Sequence, residues 1–361
     1  MSERAALILA NSLISAKRHQ QALDVLAPEL ATDPDDVEAI CLAAQAELGL
    51  GANDLALDLA RQAVSLAPDE EWPLRLAAVA HSRRHEHDAA LSAAAAAAKV
   101  APNLYQTHTT FAQLAGAHPA FERDRRLQAD ARRAVATARE LAPDLPDPHL
   151  AAGNLAVRLK DYDGARLAYE KVLSIDPQSS DARHNLSLVQ LRRNRFGSAA
   201  AGLVDVLSEG GDALALHNLQ VLAVRVLRYI HLGLWVLVVF VARVFGDDTG
   251  QSASGSRVLP VAVATIGVTS VAAFLLVLRR SAGPAFGRFV VGVARTDRLL
   301  AGWALALAGV VVSTVVAALL PSHREGVYAT ATGLLLLGMG LSWARARTLK
   351  RDLERIRAED R

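Results

Sequence analysis

Prolines recur along the first half of the chain at a nearly constant interval. Successive members of the series are 34, 34, 41 and 34 residues apart, and they are Pro34, Pro68, Pro102, Pro143 and Pro177. An alanine stands twelve residues before each proline, at Ala22, Ala56, Ala90, Ala131 and Ala165. A short unit of this kind cannot bury its apolar face alone, so it stacks on copies of itself. We therefore predict that this part of the chain is a row of similar small units.

Residues 149–180 show most clearly what one unit contains. Their apolar residues have helical spacing in two short segments, which are separated by a tight turn and closed by Asp176 and Pro177. Gly153 and Ala165 are small residues at the positions where the two helices must come close. Large side chains fill the space around that contact: Leu155, Leu159, Tyr162, Tyr169, Leu173 and Ile175. Each unit is therefore predicted to be a helix–turn–helix pair.

A helix–turn–helix unit with a 34-residue period and these alanines resembles the tetratricopeptide repeat. The resemblance implies an all-α fold, a solenoid of about six repeats over residues 1–212, of which five are closed by a proline. The sixth repeat is degenerate, because Ser187 and Ala199 occupy expected positions but Gly210 and Gly211 replace the proline. The fourth repeat contains seven extra residues, which form either a binding feature or a tolerated surface loop.

The same resemblance implies a concave groove, lined mainly by the first helix of each repeat, in which a protein or peptide partner binds. The groove-facing residues that the family implies are Asn11, Gln45, Arg75, Gln113, Asn154, Arg158, Asn185 and Arg192. In some family members, asparagines and a lysine hold a partner's terminal carboxylate. Asn154 and Asn185 match those asparagines, but Leu150 stands at the lysine position, so the full carboxylate clamp is absent.

The two halves of the chain have opposite charge, although the total is only +2. Residues 1–212 contain 22 Lys and Arg against 29 Asp and Glu, whereas residues 213–361 contain 17 against 8, so their net charges are −7 and +9. An acidic repeat region without basic and aromatic stripes argues against binding to nucleic acid. Arginine greatly exceeds lysine and alanine is abundant, which we interpret as the codon usage of a bacterium with a GC-rich genome.

The sequence shows no pattern of catalytic chemistry. It contains neither a nucleophile elbow nor a phosphate-binding loop. His81 and His85 are four residues apart and could share a helix face, but a third metal ligand is missing at helical spacing. A solvated turn is therefore the preferred interpretation of this cluster. Cys41 is the only cysteine, and its apolar neighbours predict a structural role. We predict no enzymatic activity, no cofactor and no metal.

Four strongly apolar stretches lie in the second half, after a predicted capping or linker helix over 213–228. They predict a membrane domain over 229–344, a four-helix transmembrane bundle with spans at about 229–246, 258–278, 299–320 and 326–344. The first uncharged run has only 14 residues between Arg228 and Arg243. By length alone, that run is also compatible with a buried core helix.

The distribution of positive charge favours four spans over three. Segment 279–298 has a net charge of +4, and the tail 345–361 has a net charge of +3. Basic segments beside membrane helices stay in the cytoplasm, and four spans place both of them on the same side as the repeats. We therefore predict a multi-pass protein of the inner (plasma) membrane with both termini, including the basic tail, in the cytoplasm.

The predicted bundle contains few polar groups. His231 is the only ionisable residue in the interior of a predicted span, whereas transporters and proton relays usually need such groups at mid-depth. Phe286, Phe289, Val290 and Val293 have helical spacing between the second and third spans, which predicts a short helix on the inner leaflet. We interpret the chain as a membrane-anchored cytoplasmic scaffold or adaptor for a protein or peptide partner. The alternative is a transport or sensing protein that its repeats regulate.

The four-span topology predicts which positions a membrane-impermeant maleimide reaches from outside the cell. Cysteines introduced at Ser252 and Ser322 lie in the predicted external loops and should label in intact cells. Cysteines at Ser281 and Thr348 lie in the basic cytoplasmic segments and should label only after the cells are permeabilised. External labelling at residue 281 would contradict the four-span arrangement.

Overall fold

The computed structural model describes residues 3–210, 213–245, 258–319 and 324–359. Within these ranges the chain contains seventeen helices and no β-strand. The first ten are α1 (Glu3–Ser15), α2 (His19–Thr32), α3 (Val37–Leu50), α4 (Asn53–Leu66), α5 (Glu71–Arg83), α6 (His87–Val100), α7 (Tyr105–Ala117), α8 (Arg125–Leu141), α9 (Pro146–Arg158) and α10 (Tyr162–Ile175). The others are α11 (Ser180–Arg192), α12 (Phe196–Gly210), α13 (Ala213–Phe245), α14 (Val258–Ala282), α15 (Ala285–Thr296), α16 (Arg298–Leu319) and α17 (Arg324–Glu359). Ser252 and Ser322 of the labelling test, and Gly211 after the sixth repeat, lie outside the described residues.

The chain divides into two compact units, Met1–Ala182 and Arg183–Arg361. The first unit contains the helical pairs of the five proline-closed repeats. The border falls inside α11, so most of the sixth helical pair belongs to the second unit. The region predicted as the repeat domain, residues 1–212, therefore extends across this border.

The first unit is a solenoid of helical pairs. The two helices of each pair pack on each other, and the second helix also packs on the first helix of the following pair. In addition, each first helix packs on the next one, from α1 through α3, α5 and α7 to α9. We call this row of five helices the first-helix layer. The all-helical, repeat-based fold expected from the proline spacing is confirmed for this unit.

Small residues allow the two helices of a pair to approach each other. The five alanines of the sequence pattern are buried: Ala22, Ala56, Ala131 and Ala165 are 0% exposed, and Ala90 is 2% exposed. Gly153 lies directly against the ring of Tyr169, where even a Cβ atom would collide with that ring. The Tyr169 hydroxyl also donates a hydrogen bond to Asn154 Oδ1 at 2.8 Å, so packing and hydrogen bonding join α9 to α10.

Five of the pairs, the first to the third, the fifth and the sixth, share one type of turn between their two helices. The central residue of this turn has a positive φ of 58° to 79°, and the residues concerned are Lys17, Gly51, His85, Lys160 and Asn194. The next N–H then bonds to a carbonyl five residues earlier, as from Asp161 to Ala156 at 2.9 Å. This pattern satisfies carbonyls at the helix end that would otherwise lack a partner.

The seven extra residues of the fourth repeat are anchored to the solenoid. Phe121 is fully buried, and its carbonyl accepts a hydrogen bond from Gln128 Nε2 at 2.8 Å. The Asp124 side chain accepts hydrogen bonds from the N–H groups of Arg126 and Leu127, which begins α8. Because of this insertion, α8 is 17 residues long, whereas the other helices of the five pairs have 13 or 14.

The second unit is a separate helical cluster around α12. This helix packs on α13, α14 and α15, and its Leu203 lies in one buried core with Leu222 and Phe289. Phe289 and Val293 of α15 are buried in this protein core. They belong to the stripe that was predicted to lie on the inner leaflet. That prediction is therefore wrong for these two side chains, because the adjacent helices cover them, whereas Val290 of the same stripe is 45% exposed.

Two of the predicted segment borders fall inside continuous helices. The predicted linker 213–228 and the first predicted span belong to one helix, α13, and the fourth predicted span continues into the basic tail as α17. Among the described residues, the segments Ala213–Val239 and Arg298–Val316 have the length and apolar composition needed to cross a membrane. They overlap the first and third predicted spans. A buried core helix meets the same two criteria, so the four-span bundle stays a prediction.

A buried ion pair joins two helices of the second unit. Asp297, which begins α16 by accepting the Leu300 N–H at 3.0 Å, pairs with Arg345 of α17, and both residues are 6% exposed. Arg345 also donates to Gln220 Oε1 of α13 at 2.7 Å. Removing one partner of a buried pair leaves an uncompensated charge, which costs much more than the pair contributes. Replacing either Asp297 or Arg345 alone should therefore destabilise the second unit.

The buried alanines give a direct test of the close helix contacts in the first unit. Ala165→Leu forces extra methylene groups between α9 and α10, and we expect it to destabilise the unit by about 1–3 kcal/mol. Ala136→Leu is the matched control, because Ala136 is exposed on α8 and the same side chain there points to solvent. Chemical denaturation followed by circular dichroism measures both. Equal stability of the two variants would contradict the proposed role of Ala165.

Candidate functional site

The structure places the eight predicted groove residues on first helices of the repeats. Six of them lie in the first-helix layer of the first unit, and the other two, Asn185 and Arg192, lie on α11 in the second unit. The exposed members are Asn11, Gln113, Arg158 and Arg192. The half-buried members are Gln45, Arg75, Asn154 and Asn185.

Arg75 is neutralised within the layer. Its guanidinium forms an ion pair with Glu71, one turn earlier on α5. Further along the layer, the Tyr105 hydroxyl of α7 donates to Asp147 Oδ2 of α9 at 3.3 Å. Partial burial raises the pKa of Tyr105 above its usual value, and the Asp147 carboxylate raises it further. Arg75 and Asp147 therefore both have partners within the first-helix layer.

Asn154 has a structural role in the layer. Its Oδ1 accepts the Tyr169 hydroxyl, which is the contact that fixes the ring over Gly153. Burial raises the pKa of Tyr169, so the hydroxyl stays protonated and remains a donor. This contact within the chain is enough to explain why a half-buried asparagine occupies position 154.

Arg158 also makes a hydrogen bond within the protein. Its Nε donates to the Gly116 carbonyl at 2.7 Å, and Gly116 is in the last turn of α7. Carbonyl groups in the last turn of a helix lack an intrahelical partner, so Arg158 supplies one and ties α9 to α7. An alanine at position 158 would thus affect the fold as well as a bound partner.

Gln113 and Asn11 are the predicted groove residues of the first unit that are polar, exposed and without a side-chain hydrogen bond or ion pair among the described residues. Gln113 lies on α7 one turn before Gly116, next to the position that Arg158 reaches. Asn11 lies on α1 at the other end of the layer. These two residues are the better probes of partner binding, since replacing them leaves the described contacts in place.

The histidines singled out in the sequence contribute to the turns between helices. His85 is the left-handed residue of its turn, with a φ of 62°. Hydrogen bonds from His81 and then from Arg84 lower the pKa of Glu86. His118, which the sequence reasoning did not consider, lies 3.1 Å from Asp88 of α6 and so links the third and fourth repeats. Within the described part of the chain, no three metal-ligating side chains form a group that could hold an ion.

Cys41 lies in the core of the second repeat, among Ile40, Ala44 and Leu57. Burial raises the pKa of the thiol to about 12, and the nearby carboxylates of Glu70 and Glu71 contribute to this increase. A thiol of this kind is not ionised near neutral pH, and only the thiolate is a good nucleophile. The structure therefore gives Cys41 the environment of a core residue.

Part of this arrangement of helical pairs matches a known protein family. The family description "Tetratricopeptide repeat" matches residues 156–222. The matched residues begin in α9 and end in α13, and the solenoid of helical pairs in the first unit is similar to a tetratricopeptide-repeat fold. A comparison with curated proteins finds no match.

Several solved structures match this chain at low sequence identity. The APC/C hetero-tetramer Cut9-Hcn1 is 13% identical with a TM-score of 0.51, and the match covers 62% of this chain and 43% of that one. YrrB, described as a TPR protein with an unusual peptide-binding site, is 17% identical with a TM-score of 0.35, covering 50% and 89% of the two chains. Pseudomonas aeruginosa PilF is 15% identical with a TM-score of 0.45, covering 60% and 96%. At these identities the likeness to Cut9-Hcn1 concerns the fold alone.

The repeat pattern in the sequence locates the first helices but not the contacts that their polar side chains make. The alanine and proline pattern identifies the first helices, and hence the layer. It does not reveal that Asn154 and Arg158 are occupied by contacts with Tyr169 and Gly116. Those contacts join residues 15 and 42 positions apart, and the repeat pattern carries no signal for them.

Proposed function

We propose that this protein is a membrane-anchored cytoplasmic scaffold or adaptor that binds a protein or peptide partner along its first-helix layer. Tetratricopeptide-repeat proteins are generally protein-interaction scaffolds. The observation that supports the layer most directly is the exposure of Asn11 and Gln113 on first helices, where the family's groove would lie. Exposed polar side chains on a rigid repeat surface supply selectivity, while the buried alanines only hold its shape. The proposal assigns the protein no catalytic role, cofactor or metal.

Membrane anchoring is proposed for the second unit. Large apolar side chains are exposed on its helices, including Leu232 of α13 at 63%, Leu305 of α16 at 73% and Leu337 of α17 at 55%. Exposed apolar groups in such number are unfavourable in water but favourable against lipid. Together with the basic segments, they favour four spans in a bacterial inner membrane with both termini in the cytoplasm.

A transport or sensing function is the second candidate, and polar contacts inside the second unit favour it. Trp303 Nε1 of α16 donates to His231 Nδ1 of α13 at 3.1 Å, and both residues are buried. The Asp297–Arg345 pair lies in the same unit. Buried ionisable residues among membrane helices often belong to a solute or signal pathway. Solute flux in liposomes that contain the purified protein would favour this candidate over a scaffold.

Partner capture from native membranes tests the proposed layer. The double change Asn11→Ala and Gln113→Ala removes two exposed polar groups, and we expect capture of the partner to weaken by about 1–2 kcal/mol for each direct contact. Helix content and thermal stability should stay unchanged, because exposed substitutions usually alter stability by less than about 0.5 kcal/mol.

Gln21→Ala is the matched control for this double change. Gln21 is exposed on α2, the second helix of the first repeat, so its removal should not alter capture. Capture that is insensitive to the first-helix changes, or equally sensitive to Gln21→Ala, would contradict the proposed layer.

A further inference from the structure

A cleft of about 400 Å³ lies in the first unit between α8, α9 and α10. Its size is within the range of ligand-binding pockets. The floor is apolar, since Val135 of α8 and Leu155 of α9 are buried there. Leu167 of α10 lies at the rim and is 58% exposed. None of the eight predicted groove residues lines this cleft, so it is separate from the proposed partner site.

Three basic side chains surround the apolar floor. Arg132 and Arg139 project from α8 and Lys171 projects from α10, and all three are exposed. In the part of the chain that the structure describes, none of the three is paired with a carboxylate. One acidic residue, Asp161, also lines the cleft, and its carboxylate accepts the Gly164 N–H at 2.9 Å and so begins α10. With three basic residues and one acidic residue, the cleft combines a net positive charge with an exposed leucine.

The spacing of the cations limits what can occupy the cleft. Arg132 and Arg139 are seven residues apart on one helix, which is about 10 Å along its axis. Side chains of an extended peptide alternate between its two faces, so only every second residue faces the cleft, and four residues span about 13 Å. Two carboxylates four residues apart thus lie on one face within reach of both long arginine side chains, and a large apolar side chain midway between them would meet Leu155 and Leu167.

We propose that this cleft binds an extended segment of a protein partner in which two carboxylates, four residues apart, flank a large apolar side chain at the position midway between them. Charge complementarity argues for acidic groups, because arginine binds carboxylates strongly and in a fixed geometry. The apolar floor argues for a side chain between them, since a purely ionic ligand would leave it in water. No Phe, Tyr or Trp side chain lines the cleft in the described residues, whereas single-stranded nucleic acid usually stacks its bases on such rings. This second site does not depend on the first-helix layer.

Peptide selection on the full chain tests the proposal. The protein is placed in nanodiscs of neutral phosphatidylcholine, so that anionic lipid cannot occupy the basic side chains. A random library of twelve-residue peptides is selected on the wild type and then depleted on the variant Arg132→Glu with Arg139→Glu. Peptides that survive depletion should share two acidic residues four apart with a large apolar residue midway between them. Their binding, measured by fluorescence anisotropy, should weaken at least tenfold in the variant.

Matched variants separate binding in this cleft from binding elsewhere on the protein. Arg133→Glu reverses a charge next to Arg132, but Arg133 does not line the cleft, so the selected peptides should still bind. Asn11→Ala with Gln113→Ala should also leave their binding unchanged, which keeps the test independent of the first-helix layer. Leu167→Ser should weaken binding at unchanged helix content, and Lys171→Gln provides a second exposed change should Leu167→Ser unfold the unit.

Three results would overturn the proposal. The first is that no peptide distinguishes the wild type from the Arg132 and Arg139 variant. The second is that the distinguishing peptides lack the acidic pair or the apolar residue. The third is that single-stranded DNA displaces the selected peptides with higher affinity than they themselves show, which would make the cleft a nucleic-acid site.

Discussion

The contact between a small residue on one helix and a large side chain on the next is what the first unit depends on. Gly153 and Ala165 let α9 and α10 approach until the Tyr169 ring covers Gly153 and its hydroxyl reaches Asn154. A buried alanine recurs at the same position in each of the five pairs. The pairs stack on one another, and this stacking places successive first helices side by side as one layer.

The sequence predicts those structural features of the first unit that require a particular residue at regular intervals. Periodic alanines and prolines predict the helical pairs, because close packing restricts residue size at fixed intervals. Left-handed turn residues recur in five of the pairs, but Lys17, His85 and Lys160 are not glycine, so composition hides them. The Arg158–Gly116 hydrogen bond is hidden as well, because a helix-end carbonyl accepts any suitable donor. Sequence therefore locates the layer but not which of its polar side chains are free.

In the second unit, hydropathy and charge counted along the sequence do not predict helix boundaries or buried ion pairs. Apolar runs locate helices there, yet they cannot show that residues 213–245 form one helix rather than a linker and a span. Counting also treats each charge as solvated, so Arg345 was assigned to a basic tail and Asp297 to a basic segment. The structure pairs these two residues in a buried site, which removes both from the surface charge. Pairing of this kind depends on tertiary contacts between residues far apart in sequence.

Site-specific photo-crosslinking in native membranes tests the central claim, that the first-helix layer is where this protein meets its partner. A photoreactive phenylalanine analogue is introduced at Gln113 on α7 and, separately, at Gln21 on α2, both of which are exposed. The account predicts that the analogue at position 113 forms a covalent adduct with a partner protein and that the one at position 21 forms none. An adduct from position 21 without one from position 113 would contradict the account.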